Sequence, residues 1–178
     1  MVFSAVLIKS ILIFSCCITK GASMHLEVKS ESFGSMEVIP AEFTCDGNDV
    51  SPQISWKNTP MGTKSIAIIC DDPDAPSGTW VHWVCYDIPA VTSSLHKNIM
   101  HGDTLPCTGK QGITDFGKNG YNGPCPPSGV HRYFFKVYAL DAFLNLPAGK
   151  TARDVEKTMK GHVLGYGELV GMYSRKSK

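Results

Sequence analysis

The sequence predicts a mainly-β domain, a sandwich or barrel, from three observations. Short runs rich in β-branched and aromatic residues recur along the chain, at Ser65 to Cys70 (SIAIIC), Thr79 to Ile88 and His131 to Leu140 (HRYFFKVYAL). Clusters of Gly, Pro, Asn and Asp, the turn-forming residues, separate them. One segment alone, Thr151 to Lys160, combines good helix formers with an N-cap candidate, Thr151, and an acidic first turn at Asp154. Many strands and one helix make a sheet the element that must bury the core. A length of 178 residues, 43% of them hydrophobic, fits one domain with a single core. The formal net charge of +1 offers no broad field for nucleic acid, and the basic cluster Arg175 to Lys178 reads as a solvated terminus.

Residues 1–23 read as an export leader. Lys9 precedes the apolar run Ile11 to Ile18, and Gly21-Ala22-Ser23 offers a small-residue cleavage site. The run is too short to span a bilayer, so no stable transmembrane segment is expected. The domain is therefore assigned to residues 24–178, exported to a periplasm or secreted. Ile13-Phe14-Ser15-Cys16 also resembles a lipoprotein signal lipidated at Cys16, but Phe14 fits that pattern poorly.

Downstream, His25 to Ser30 alternates apolar and polar residues and predicts one strand with a wet face. Phe43 to Pro52 is dense in turn formers, Ile54-Ser55-Trp56 resumes as a strand, and Pro60-Met61-Gly62 turns the chain again. Ser65 to Cys70 reads as a central strand buried on both faces, delivering Asp71, Asp72 and Asp74 into a loop stiffened by Pro73 and Pro76. Strict alternation in the next strand places Trp80, His82, Val84 and Tyr86 on one face and Val81, Trp83 and Cys85 on the other. If these two strands pair antiparallel, Asp72, Asp74 and His82 meet at one sheet end. Pro89 to Val130, roughly forty residues with little periodicity, is long enough to be a functional loop. His131, Tyr133, Phe135 and Val137 share a face of the following strand, and Leu164 to Tyr173 closes the fold as a strand loosened by Gly165, Gly167 and Gly171.

The chemistry concentrates where Gly/Pro-rich loops run into strands that begin with a histidine. Asp72, Asp74, His82 and His131 combine acceptors with switchable donors, and Gly120, Gly123 and Gly129 let backbone N–H groups approach a ligand. Such a pocket suits a phosphate or carboxylate. Two carboxylates oppose an anion, a conflict that eases if a histidine or an aspartate is protonated, or if the ligand also carries an ammonium group. A zwitterionic phospho-amine head group would satisfy every one of these groups. Each residue also has a plainer use: Asp72 and Asp74 as turn caps, the histidines as structural residues, Tyr133 as core. The same Asp/His set could instead hold zinc in a metal-assisted hydrolase, the runner-up reading, while a metal-free acid/base hydrolase lacks a nucleophile paired with a base. No Walker loop, nucleophile elbow or zincin helix occurs, so neither a catalytic residue nor a cofactor is assigned. Without the leader five cysteines remain; Cys70 and Cys85 lie in apolar strand runs, whereas Cys45, Cys107 and Cys125 lie in loops where a bridge could form.

In order along the chain, Asp71-Asp72-Pro73-Asp74-Ala75-Pro76, Trp80-Val81-His82-Trp83, Ile88-Pro89-Ala90, Asp115-Phe116-Gly117, Gly123-Pro124-Cys125-Pro126-Pro127 and His131-Arg132-Tyr133 closely resemble the motifs of the phosphatidylethanolamine-binding protein family, in its bacterial and archaeal branch. The resemblance spans Glu27 to Tyr173, and it implies two antiparallel sheets packed as a sandwich with few short helices. It further implies a small anion pocket lined by Asp72, Asp74, His82, Gly123, Pro126, His131 and Tyr133, accepting phosphate, acetate or phosphoethanolamine-like groups. Family members act as binding and regulatory proteins, including kinase and protease inhibitors, and are generally not enzymes. Cysteines at the positions of Cys45 and Cys125 resemble those of exported bacterial relatives and imply a disulfide between the two. The C-terminal helix of the animal members is not expected here, nor is inhibition of a Raf-type kinase. The resemblance leaves the protein target and the oligomeric state open, a homodimer included.

Overall fold

The computed structural model describes residues 24–175; the segment expected to be a leader, Cys16 included, lies outside them. The strands are β1 (Met24–His25), β2 (Glu27–Lys29), β3 (Glu37–Val38), β4 (Ile54–Lys57), β5 (Ser65–Asp72), β6 (Trp80–Pro89), β7 (Ser94–Leu95), β8 (Lys110–Gln111), β9 (His131–Leu140) and β10 (Val163–Tyr173), with one α-helix among the described residues, α1 (Ala152–Met159), and a short 3-10 turn at Ala41–Phe43. They form two sheets. The larger runs β1-β10-β9-β5-β6-β8 with β3 also on β10, and the smaller runs β2-β4-β7. Ile66, Ile68, Cys70, Trp83, Cys85, Phe135 and Val137 of the large sheet pack against Val28, Ile54, Trp56 and Leu95 of the small one, which makes the main core. On the opposite face Ala67, Ile69, Val84, Tyr86 and Leu140 are covered by Ala152, Val155 and Met159 of α1. Thr151 caps that helix as expected, its side chain accepting from the Asp154 N–H in a capping box.

Three details depart from simple alternation. The single strand expected at His25 to Ser30 is split: β1 pairs with β10, and β2 pairs with β4 in the other sheet. Leu26 makes the crossing, fully buried and donating its N–H to the Tyr166 carbonyl at 2.8 Å. The crossing requires Gly167, where a Cβ would stand 2.1 Å from the Leu26 carbonyl oxygen. Gly171 likewise makes room for Ile39 and Phe33, so the glycines of β10 admit neighbours rather than merely loosening the strand. Second, the large sheet is mixed, because β1 and β3 both join β10 in parallel. Third, β6 is bulged against β5. Cys70 faces Trp83 but Asp71 faces Val81, so His82 is an extra residue in the ladder. As a result Val81 lies with the α1-side cluster and not with Trp83, and His82 leaves the face of Val84 and Tyr86 to meet Tyr133.

Candidate functional site

Because β5 pairs antiparallel with both β6 and β9, its C-terminal end lies between the starts of those two strands. Asp72, His82, His131 and Tyr133 therefore converge from three strands onto a cavity of about 230 Å³, whose wall is completed by residues that include Pro76, Trp80, Phe116, Pro126 and Pro127. That volume is below the ~300–1,000 Å³ of sites for drug-sized ligands, so a head group fits the scale better than a large molecule.

His131 donates from Nδ1 to Asp72 Oδ2 at 2.7 Å, and both side chains are nearly sealed from water. Asp72 Oδ1 accepts the Asp74 N–H at 2.8 Å, so this carboxylate serves turn and pocket together. His82 donates from Nδ1 to the Asn122 carbonyl at 2.6 Å, which leaves Nε2 as an acceptor on the neutral ring. Burial holds His82 below the usual imidazole range, against the opposing pull of the Asn122 carbonyl and the Asp72 carboxylate. The Tyr133 hydroxyl is buried and makes no hydrogen bond of ordinary distance and angle, although it faces the Asp72 carboxylate. Burial first, and then the Asp72 charge, push its phenol far above the usual range, which keeps it a donor at any working pH.

Asp74 and Gly123 do not line this cavity. Asp74 instead grips Arg132 through Nε at 2.8 Å, Nη2 at 2.7 Å and the backbone N–H at 3.0 Å, and the guanidinium holds its carboxyl at a pKa of about 2. The Arg132 charge thus compensates Asp74 outside the cavity, while Asp72 keeps His131 as its hydrogen-bond partner inside it. The Gly123 N–H is taken by Asp49 Oδ1 at 2.6 Å, and a Cβ there would stand 2.3 Å from the Phe43 carbonyl oxygen. Its glycine character serves loop packing. Sequence reasoning passed over Trp80 and Phe116 as wall residues; the Asp-Phe-Gly motif was the available signal for the second. Among the described residues, no group of three His, Cys, Asp or Glu side chains is arranged to hold a metal ion, and no helix is long and apolar enough to cross a membrane.

A disulfide joins Cys45 to Cys125 with their Cα atoms 5.4 Å apart, and Cys125 lines the cavity beside Pro126. The phosphatidylethanolamine-binding protein family model matches residues 29–174. The chain belongs to that family. Its curated relatives include a UPF0098 protein of the archaeon Methanothermobacter thermautotrophicus, 49% identical over 150 residues that cover 84% of this chain and 99% of that protein. Another, from the bacterium Aquifex aeolicus, is 50% identical and covers 84% and 89%. Among solved structures, the family homolog CT736 of Chlamydia trachomatis superposes with a TM-score of 0.79 at 33% identity, covering 86% of this chain and 100% of that one. Escherichia coli YbcL, described as a member of the mammalian PEBP family, gives 0.79 at 30% identity, covering 85% and 99%. Membership in this family of binding proteins accords with the two-sheet architecture and with the bacterial and archaeal branch.

Proposed function

We propose that this protein is a non-enzymatic, exported binding protein whose cavity takes the phosphate, carboxylate or phospho-amine end of a small ligand, and that it regulates a protein target through that occupancy. The observation that carries the reading is the Tyr133 hydroxyl, buried without a hydrogen bond of ordinary geometry beside the Asp72–His131 pair. A buried hydroxyl left unpaired costs about 1–3 kcal/mol, a penalty that a ligand oxygen would offset. An anion also stabilises a protonated imidazole, so binding at neutral pH draws a proton onto His82, which burial keeps neutral, and strengthens as pH falls. Export is supported by the leader-like composition of residues 1–23 together with the Cys45–Cys125 disulfide, since such bonds persist in oxidising compartments.

Calorimetric titration of inorganic phosphate and acetate into purified protein at pH 5.5 and pH 8 tests the pocket. Binding should be tighter at pH 5.5, and Tyr133→Phe should weaken phosphate about five- to tenfold, the worth of one hydrogen bond. An affinity that is flat with pH and indifferent to Tyr133→Phe would sink the reading. Metal analysis of the same sample separates it from the hydrolase alternative, for which stoichiometric zinc is required.

A further inference from the structure

Four aromatic rings form a row along one wall of the cavity, leading from the interior toward the surface. Tyr133 and His82 lie 5.2 Å apart between centroids, His82 and Phe116 5.2 Å, and Phe116 and Trp80 5.7 Å. Tyr133 is fully buried at one end, while Phe116, next to Trp80 toward the other, is 39% exposed. Phe116 is held there by its neighbours. Asp115 accepts the Val81 N–H at Oδ2 (2.7 Å) and returns its own N–H to the Val81 carbonyl (3.1 Å), while Gly117, at φ +73°, donates to the Thr114 carbonyl.

The outer end of this row is poor in hydrogen-bond acceptors. Trp80, Phe116, Pro76 and Pro127 bring none in their side chains, the Ser77 hydroxyl beside Pro76 offers one, and both Asp72 oxygens are already engaged, by the Asp74 N–H and by His131. A primary ammonium group carries three N–H donors, each of which must find an acceptor when it leaves water. An N-methylated ammonium has no such requirement, and the negative face of an aromatic ring attracts it. No lysine or arginine lines the cavity to repel it.

Building on the head-group reading above, we propose that the site selects a phosphoryl group esterified to an N-methylated amino alcohol, the phosphocholine class, and that Phe116, with Trp80, is the specificity-determining side chain. The phosphoryl oxygens meet Tyr133 and His131 at the buried end, and the methylated ammonium lies against Phe116 and Trp80 at the mouth.

Calorimetry at pH 7 with inorganic phosphate, phosphoethanolamine and phosphocholine, on the wild type, Phe116→Ala and Phe116→Leu, tests this. Phosphocholine should bind the wild type about five- to tenfold more tightly than phosphoethanolamine. The preference should fall to near parity in both variants, because leucine retains apolar bulk but has no ring face; thermal melts of both variants check that they fold. A wild type that binds phosphoethanolamine as tightly as phosphocholine, or a preference that survives in Phe116→Leu, overturns the assignment. If phosphate binds the wild type without any preference among its esters, this inference alone falls. If none of the three ligands binds, the head-group reading falls with it.

Discussion

Tyr133 carries the sharpest conflict between stability and function at the level of single residues. Its hydroxyl lies buried and unpaired between the core and the cavity, so Tyr133→Phe should raise stability by about 1 kcal/mol in urea denaturation while it weakens phosphate. A variant that loses both stability and affinity would mean that the hydroxyl already has a partner in the ligand-free protein. His82 supplies a pH dependence of defined sign. Its folded pKa lies below the ordinary value of 6.5, so the unfolded chain takes up the proton first. The stability it contributes is intact above the unfolded value and is lost as pH falls through that value toward the folded one. One such site accounts for at most about 1.4 kcal/mol per pH unit. His82→Gln should therefore show a shallower loss of stability between pH 7 and pH 5 than the wild type. Identical slopes would place the acid sensitivity elsewhere.

Among the elements, β10 ties the short edge strands β1 and β3 into the large sheet. It accepts β1 and β3 in parallel along one side and β9 antiparallel along the other. The crossing at Leu26 depends on Gly167, so Gly167→Ala forces a methyl group against the Leu26 carbonyl and should cost about 1–3 kcal/mol, read as a lower urea midpoint. A neutral result would show that the β1–β2 corner can shift at no cost. The bulge in β6 has the opposite use, since it costs a regular ladder position and turns His82 toward Tyr133. The long segment between β6 and β9 then locks that arrangement. Asn122 donates its N–H to the His82 carbonyl at 2.9 Å and accepts from the His82 ring in return, while Thr114 Oγ1 donates to Asn122 Oδ1 at 2.9 Å.

For the molecule as a whole, the disulfide closes a loop of 80 residues and ties the turn after β3 to the loop before β9. Closing a loop of that size contributes about 2–4 kcal/mol. The Cys45→Ser, Cys125→Ser double variant should lose that much, and its ligand affinity should also fall because Cys125 belongs to the cavity wall. Under native, non-reducing conditions Cys107 should be the thiol that reacts among the described cysteines. Cys70 and Cys85 are buried, and desolvation pushes both thiols up, away from the reactive thiolate. Native labelling of Cys45 or Cys125 would contradict the bridge.

Local patterns were enough to read the β class, the helix with its Thr151 cap, the buried central strand at Ser65 to Cys70, and the inward face of His131, Tyr133 and Phe135. Each of these follows from a periodicity or a capping rule acting within a few residues; antiparallel pairing of two neighbouring strands already implied the meeting of Asp72 and His82, and the family motifs added the disulfide. Other features were beyond such rules, because they arise where distant segments compete for the same space or the same hydrogen bond. The split of the first strand depends on Gly167, more than a hundred residues away. The displacement of His82 depends on a one-residue mismatch between β5 and β6, which periodicity within either strand cannot reveal. Asp74 turned to Arg132, and the Gly123 N–H to Asp49, because tertiary packing put those partners within reach. Composition and motif determined which groups stand near the cavity; only the folded arrangement decided which remained unpaired inside it, since an unsatisfied hydroxyl such as that of Tyr133 is defined by everything that fails to reach it.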